Sequence, residues 1–153
     1  MKVHLAWLTG KAGRSKEPEI AALVNRYVKR ISSYCEVAVI EAAAEEQLFG
    51  QVERLHGRAQ ATLLLLDSRG ERWSSEEWAD HVRRYRDGGA QHLIFAVGPA
   101  DGWSPGARQR AATLISLGPM TLSHELARLV LAEQVYRAFS ILAGHPYHCG
   151  HTK

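Results

Sequence analysis

Cysteine and long apolar runs are scarce in this chain, and each absence excludes a class of protein. Only Cys35 and Cys149 occur, without the spacing of a zinc site, which argues against a disulfide scaffold and favours a reducing compartment, the cytoplasm. No window approaches the ~20 apolar residues of a membrane helix. The apolar run after Lys2 ends at Leu8 and is too short for a signal-peptide core. We therefore expect neither secretion nor a membrane span.

Neither sign of charge dominates the sequence. The chain has 19 lysine and arginine residues against 16 aspartate and glutamate residues, a formal net charge of +3. This balance does not by itself indicate a nucleic-acid partner, so any RNA-binding surface has to be a local patch. The length of 153 residues and the 46% hydrophobic content suit one folded domain. Because no repeat, linker or charge block divides the chain, residues 1–153 are predicted to form a single domain.

The sequence motifs of several common enzyme classes are missing. The first predicted strand is not followed by GxGxxG, and there is no GxxxxGK[ST], since the pair Gly10 and Lys11 lacks the upstream glycine. These absences argue against the ordinary dinucleotide and nucleoside-triphosphate sites. GxSxG and HExxH are absent too, so a serine hydrolase and a zincin are unsupported.

Hydrophobic periodicity predicts a regular alternation of strands and helices. Strands are expected over residues 1–8, 36–40, 61–66 and 92–97, with a brief apolar stretch over 114–117. Helices are expected over residues 18–31 and 45–58, between a Ser74–Glu77 capping box and Gly88–Gly89, in a short segment at Pro105, and over 123–143. The third strand is expected to end at Leu66, closed by Asp67, Ser68 and Gly70. The alternation predicts an α/β fold with a mainly parallel sheet flanked by helices.

Three predicted loops leave the carboxyl ends of strands, where parallel sheets bind ligands. They follow Leu66, span Gly98 to Gly102, and span Leu117 to Leu122. Their glycines and prolines have two interpretations, which stay open at this point. They either satisfy plain turns or let a flat ligand approach the backbone closely.

The last predicted helix is apolar around most of its circumference and is expected to be buried or shared with a partner. Arg128 and Arg137 lie on it, and Glu133 is placed to pair with Arg137 four residues on. An arginine on a buried helix is costly without a partner. An ion pair, an anionic ligand, an RNA phosphate and a subunit interface remain alternatives for these two arginines.

The C-terminal tail combines aromatic and imidazole side chains. In the segment from His145 to His148, a proline stiffens the chain beside Tyr147, which suits either stacking on a base or simple packing. His145, His148, Cys149 and His151 match no closed metal site, and we expect no metal. Basic residues earlier in the chain, Lys11, Arg14, Lys16, Arg26, Lys29 and Arg30, are either solvated or available to a phosphate backbone.

Four blocks of the sequence carry a resemblance to a known family. They are LLDSRGERW over residues 65–73, FAVGPADGWSP over 95–105, MTLSHELARLVLAEQVYRA over 120–138, and HPYH over 145–148. In this order and spacing they resemble the bacterial ribosomal RNA large subunit methyltransferase H family. These are SPOUT-class enzymes that methylate N3 of a pseudouridine in 23S ribosomal RNA.

The resemblance implies more than periodicity could. It implies a C-terminal trefoil knot, a homodimer that works on the assembled ribosome in the cytoplasm, and S-adenosylmethionine as cofactor. Carried over by position, the cofactor-binding residues would be Leu66, Gly98, Pro99, Leu117, Gly118, Pro119, Met120, Thr121 and Leu122. These residues lie in the three loops already singled out.

The implied chemistry needs a way to stabilise the deprotonated imide of the base. Candidates are His148 or Tyr147 as base and Arg137 as cation, with Glu133 orienting the arginine. The resemblance also suggests that RNA is bound by Lys11, Arg14, Lys16, Arg26, Lys29, Arg30 and His145.

Three positions depart from the pattern of the resembling family. Pro99 replaces a second glycine and removes one backbone N–H, Cys149 stands where a basic residue is common, and Gly118–Pro119 is an unusual form of its loop. One alternative is therefore a catalytically silent dimer that binds ribosomal RNA. Another is a SPOUT enzyme for a ribose 2′-hydroxyl, which is disfavoured because such enzymes resemble one another in asparagine motifs and this chain has only Asn25.

Overall fold

In the computed structural model of the chain, a parallel sheet between two layers of helices forms the framework. The structure describes residues 1–10 and 15–149, and within them five parallel strands lie in the order β2-β1-β4-β3-β5. The elements are β1 (Lys2–Leu8), α1 (Pro18–Ile31), β2 (Val37–Ala42), α2 (Glu45–His56), β3 (Ala61–Arg72), α3 (Ser75–Asp87), β4 (His92–Val97), α4 (Pro105–Arg110), β5 (Thr113–Ser116) and α5 (His124–Leu142). The predicted α/β fold is confirmed.

Alternation along the strands divides the core between the two faces of the sheet. Val3, Leu5 and Trp7 face the layer formed by α1, α3 and α5. Ala6 and Leu8 face the other layer, which contains α2 and α4. Within the described ranges, no helix combines the length and apolarity needed to cross a membrane.

The third strand is longer than its hydrophobic run, so the expected end at Leu66 is wrong. β3 continues to Arg72, but its pairing with β5 breaks after Leu66 and resumes at Glu71, and both residues pair with Ile115. The polar residues between them form an irregularity inside the strand rather than its end. At Gly70 the chain passes so close to β5 that an added Cβ would lie 2.4 Å from the backbone of Ile115.

Helix ends follow their capping residues. The Ser74–Glu77 capping box is present, and Ser123 caps α5, which Gly144 follows with φ of +69°. α2 ends two residues before its expected end, because Arg58 hydrogen-bonds to Leu55 in a tighter final turn. β2 runs over 37–42 rather than 36–40, because β1 offers pairing partners as far as Leu8.

Gly70→Ala is expected to lower the free energy of unfolding by about 1–3 kcal/mol, since the backbone of β5 has to move away from the new methyl group. Urea unfolding measures this change. Gly50→Ala in α2 is the matched control, because nothing lies within 4 Å of its added Cβ and alanine suits a helix better than glycine. Equal stability changes in the two variants would contradict the close crossing.

Candidate active site

β4, β3 and β5 are neighbours in the sheet, so Leu66, which lies inside β3 rather than before a loop, is flanked by the predicted loops that follow β4 and β5. We call the surface formed by Leu66, residues 98–102 and residues 117–122 the loop edge. The sequence-based expectation that these segments come together is confirmed for their position.

A tryptophan fixes two of these loops to one another. Trp103 is buried and donates its indole N–H to the carbonyl of Leu66 at 2.9 Å. The same indole lies against Gly98, where an added Cβ would be 2.7 Å from the ring. Any side chain at position 98 would collide with this indole, so the packing requires glycine there. Sequence reasoning did not single out Trp103, although its place in the GPADGWSP segment was a signal.

Polar contacts hold α4 under the loop edge. Arg108 donates to Asp67 at 2.9 Å, and the pair is largely buried. Burial opposes the ionised Asp67, but hydrogen bonds from Arg108 and from the backbone of Arg69 outweigh it and lower the pKa of Asp67. Ser104 donates from its backbone and its hydroxyl to Glu45 at 2.8 and 2.7 Å. The contacts with Asp67 and Glu45 fix α4 and the residue before it next to the loop edge.

The last loop is open on its outer side. Gly118 has φ of +122° with open space around its Cα, and its backbone N–H and C=O both bond to the Ser116 hydroxyl. Met120 is 78% exposed, an unusual state for a large apolar side chain. A surface for a ligand or for another chain is therefore available here.

The predicted catalytic residues come together on α5 and the tail. Arg137 donates to Glu133 from Nε at 3.0 Å and to Nδ1 of His148 from Nη1 at 3.1 Å. The hydroxyl of Tyr147 donates to Glu133 at 3.0 Å. Glu76 on α3, which sequence reasoning did not single out, accepts from Nε2 of His148 at 2.8 Å. We call these five residues the tail cluster.

The electrostatics of the tail cluster favour a fixed cation. Burial opposes the charge of Arg137, but the hydrogen bonds and the charge of Glu133 raise the pKa of Arg137 overall. Burial and the hydrogen bonds with Tyr27 and Glu133 raise the pKa of Tyr147, so its phenol stays a donor. His148 uses one ring nitrogen as acceptor and the other as donor, which is the neutral form. Both nitrogens are thus occupied in this arrangement.

Three of the predicted RNA-binding cations meet beside the tail cluster. A groove of about 540 Å³ is lined by Arg26, Lys29, Arg30, Ser33, Tyr34, Tyr136 and His145. The guanidinium of Arg30 lies 5.2 Å from the ring of Tyr27 and 5.8 Å from that of Tyr136. We call this surface the basic groove. Tyr136 packs edge-on against Tyr147 at 4.7 Å, so the basic groove and the tail cluster are continuous.

The other predicted basic residues are not part of this groove. Lys16 is exposed before the start of α1, whereas the groove is lined by the second half of that helix. Lys11 and Arg14 lie outside the described residues, as does His151. Among the residues that the structure describes, no group of three or more His, Cys, Asp or Glu side chains is placed to hold a metal ion.

The loop edge and the tail cluster are far apart within one chain. α5 begins at His124 beside the loop edge, and Arg137 is 13 residues further along. At 1.5 Å per residue this is about 20 Å along the helix axis. One copy of the chain therefore cannot bring both groups to the same reacting atoms.

Comparison with known proteins decides the family. A family model described as "Predicted SPOUT methyltransferase" matches residues 1–148. Ribosomal RNA large subunit methyltransferase H of Koribacter versatilis is 45% identical over 151 residues, which are 99% of this chain and all of that protein. The enzyme of the same name from Brucella anthropi is 40% identical over 150 residues, 89% of this chain and 94% of that one. The chain belongs to the ribosomal RNA large subunit methyltransferase H family of SPOUT methyltransferases.

Solved structures agree with this family at the level of the fold. The SpoU methyltransferase AviRb from Streptomyces viridochromogenes, in complex with AdoMet, has a TM-score of 0.50 at 13% identity and covers 90% of this chain and 57% of its own. A structure described as "Structural insights into the 2-OH methylation of C/U34 on tRNA" has a TM-score of 0.52 at 16% identity. The match covers 94% of this chain and 98% of that one. At identities this low, the similarity supports a shared SPOUT fold and nothing beyond the fold.

Two departures from the pattern expected of a methyltransferase H now have a local structure. The carbonyl of Pro99 accepts from the N–H of Gly102 at 2.9 Å, so the loop turns without using an N–H at position 99. Cys149 is exposed, and its thiol donates to the carbonyl of Pro146 at 3.0 Å. In this SPOUT methyltransferase, each of the two hydrogen bonds stays within its own short segment.

Proposed function

We propose that this chain transfers the methyl group of S-adenosylmethionine to N3 of a pseudouridine in 23S ribosomal RNA, on the assembled ribosome in the cytoplasm. The observation that carries the proposal is the continuity of the tail cluster with the basic groove. It puts a guanidinium fixed by Glu133 next to three cations and two tyrosines. Aromatic faces with arginine and lysine suit a base and its flanking phosphates.

The residues of the loop edge fit the cofactor. Leu66 and the segment from Leu117 to Leu122 offer backbone groups and apolar side chains around an open Gly118, and Met120 is available to cover a flat ring. The Nε2 atom of His124 is buried beside a backbone group of Gly98, at the border of the loop edge. When bound, S-adenosylmethionine provides a methyl group already activated by its sulfonium.

The tail cluster then has to favour the reactive form of the base. Loss of the N3 proton leaves negative charge on the imide, and the guanidinium of Arg137 is placed to stabilise it. Tyr147 stays protonated and orients Glu133, which in turn orients Arg137. For His148 to accept the proton, RNA has to displace Arg137 from Nδ1, because Nε2 already carries the hydrogen that it donates to Glu76.

A homodimer brings the two halves of the site together. The tail cluster of one copy would close over the loop edge of the other, which removes the separation of about 20 Å within one chain. Met120, in the loop before α5, and Leu126, in the first turn of that helix, are exposed apolar residues and support a contact between copies there. We also propose that the chain is knotted where β5 passes close to Gly70.

Mass spectrometry of 23S ribosomal RNA tests the function directly. Ribosomes from cells that lack this protein are expected to miss one methyl group, which the purified protein and S-adenosylmethionine restore in vitro. Restoration of a ribose methyl would favour the 2′-hydroxyl alternative instead. Tight ribosome binding without cofactor binding or transfer would favour the silent dimer.

Arg137→Ala and Thr121→Arg are each expected to lower methyl transfer by about a hundredfold or more as homodimers. The first removes the cation, and the second places a bulky charge in the exposed cofactor loop. A purified heterodimer of the two variants contains one intact composite site and is expected to recover about half of wild-type turnover. An inactive heterodimer would mean that each site lies within one chain, because then both sites would carry a defect.

Replacing Arg26, Lys29 and Arg30 together by glutamine is expected to weaken ribosome binding and to flatten its dependence on salt. The slope of log K against log salt should fall by roughly 2 to 3, from three lost phosphate contacts. The same replacement of Arg83, Arg84 and Arg86 on α3 is the control, because it removes equal charge away from the groove. Equal slopes in both triple variants would place the RNA elsewhere.

A further inference from the structure

Arg128 is an unusual cation at the start of α5. It is about half-buried and lies 5.3 Å from the centre of the Trp7 ring. Among the described residues it has no carboxylate oxygen within ion-pair distance. A guanidinium in this position has lost water without gaining an anionic partner, which costs free energy unless a ligand supplies one.

His124, one helical turn earlier, fixes the orientation of this arginine. Its Nδ1 accepts from Nε and Nη2 of Arg128 at 3.1 and 2.9 Å. Burial, followed by the charge of Arg128, lowers the pKa of His124, while a backbone group of Gly98 has a smaller, opposite effect. The ring is therefore neutral and places the guanidinium next to the loop edge.

The charges around Arg128 have both signs. Glu41, at the end of β2, accepts from the indole N–H of Trp7 at 3.4 Å, and Glu125 follows His124 on α5. Both carboxylates act electrostatically on Arg128 but do not pair with it. A cation with nearby carboxylates matches a ligand that itself carries an anion and a cation close together.

We propose that Arg128, oriented by His124, binds the carboxylate of the amino-acid end of the methyl donor, with Glu41 facing the ammonium group. This inference rests on the proposed function and adds the residues that recognise that end of the cofactor. His124, which orients Arg128, adjoins Gly98 on the loop edge, whereas the cations for RNA line the basic groove beside the tail. A half-buried guanidinium suits a small carboxylate better than a nucleic-acid phosphate.

Two ligands that differ only at the amino-acid end separate this role from a structural one. S-adenosylhomocysteine has the α-amino acid, and 5′-methylthioadenosine lacks it. In Arg128→Gln the Kd for S-adenosylhomocysteine, measured by calorimetry, is expected to rise about 10- to 100-fold, since a charge-assisted bond is lost. The Kd for 5′-methylthioadenosine is expected to stay unchanged, which also shows that the variant is folded. Arg83→Gln is the control and should change neither value.

Each other outcome overturns the inference. Equal weakening of both ligands means that Arg128 shapes the pocket rather than binding a carboxylate. Unchanged binding of both, with weaker ribosome binding, assigns Arg128 to an RNA phosphate. If the wild-type protein binds neither ligand, the proposed function fails as well, and that result is distinct from a failure of Arg128 alone.

His124 is a positioning residue in this proposal. His124→Leu removes the acceptor and is expected to reduce the difference in affinity between the two ligands. His124→Asn retains an acceptor on a shorter side chain and is expected to restore part of that difference. A discrimination that is the same in both variants and in the wild-type protein would contradict a role for His124 through Arg128.

Discussion

The length and burial of α5 determine how the site is arranged. The helix begins beside the loop edge, and at its other end Phe139 and Leu142 line a cavity with Lys2 and His92, the first residues of their strands. It therefore runs from the carboxyl ends of the strands to their amino ends. Because its middle is packed between α1 and α3, neither the loop edge nor the tail cluster can approach the other. This rigidity is the reason why we propose a composite site shared between two copies of the chain.

Most of the fold could be predicted from the sequence, because period and capping act locally. The strands and helices and the Ser74–Glu77 box follow from patterns within a few residues. The extension of β3 could not be predicted in this way. Asp67 and Gly70 are typical of a turn, and only the return of the chain to Ile115 of β5 makes this segment part of a strand.

The candidate site was predictable only where its residues are neighbours along one helix or loop. Glu133 and Arg137 are four residues apart, and their pairing follows from helical geometry. Glu76, Tyr27 and Trp103 were missed because their contacts join segments distant in sequence. The resemblance gave the roles of the tail residues, but the separation of the basic groove from Lys16 needed the structure.

The two arginines of α5 repeat one geometry with opposite consequences. Glu133 stands four residues before Arg137, and His124 stands four residues before Arg128. In the function that we propose, Glu133 neutralises Arg137 before RNA binds, so the guanidinium stabilises the base only when the base becomes negative. Stabilisation that appears in the transition state and not in the ground state is what accelerates a reaction. The neutral imidazole gives Arg128 no ion pair, which suits a ligand that is already anionic when it binds. According to these two proposals, one helix binds a permanent anion at its first turns and stabilises a transient one further along.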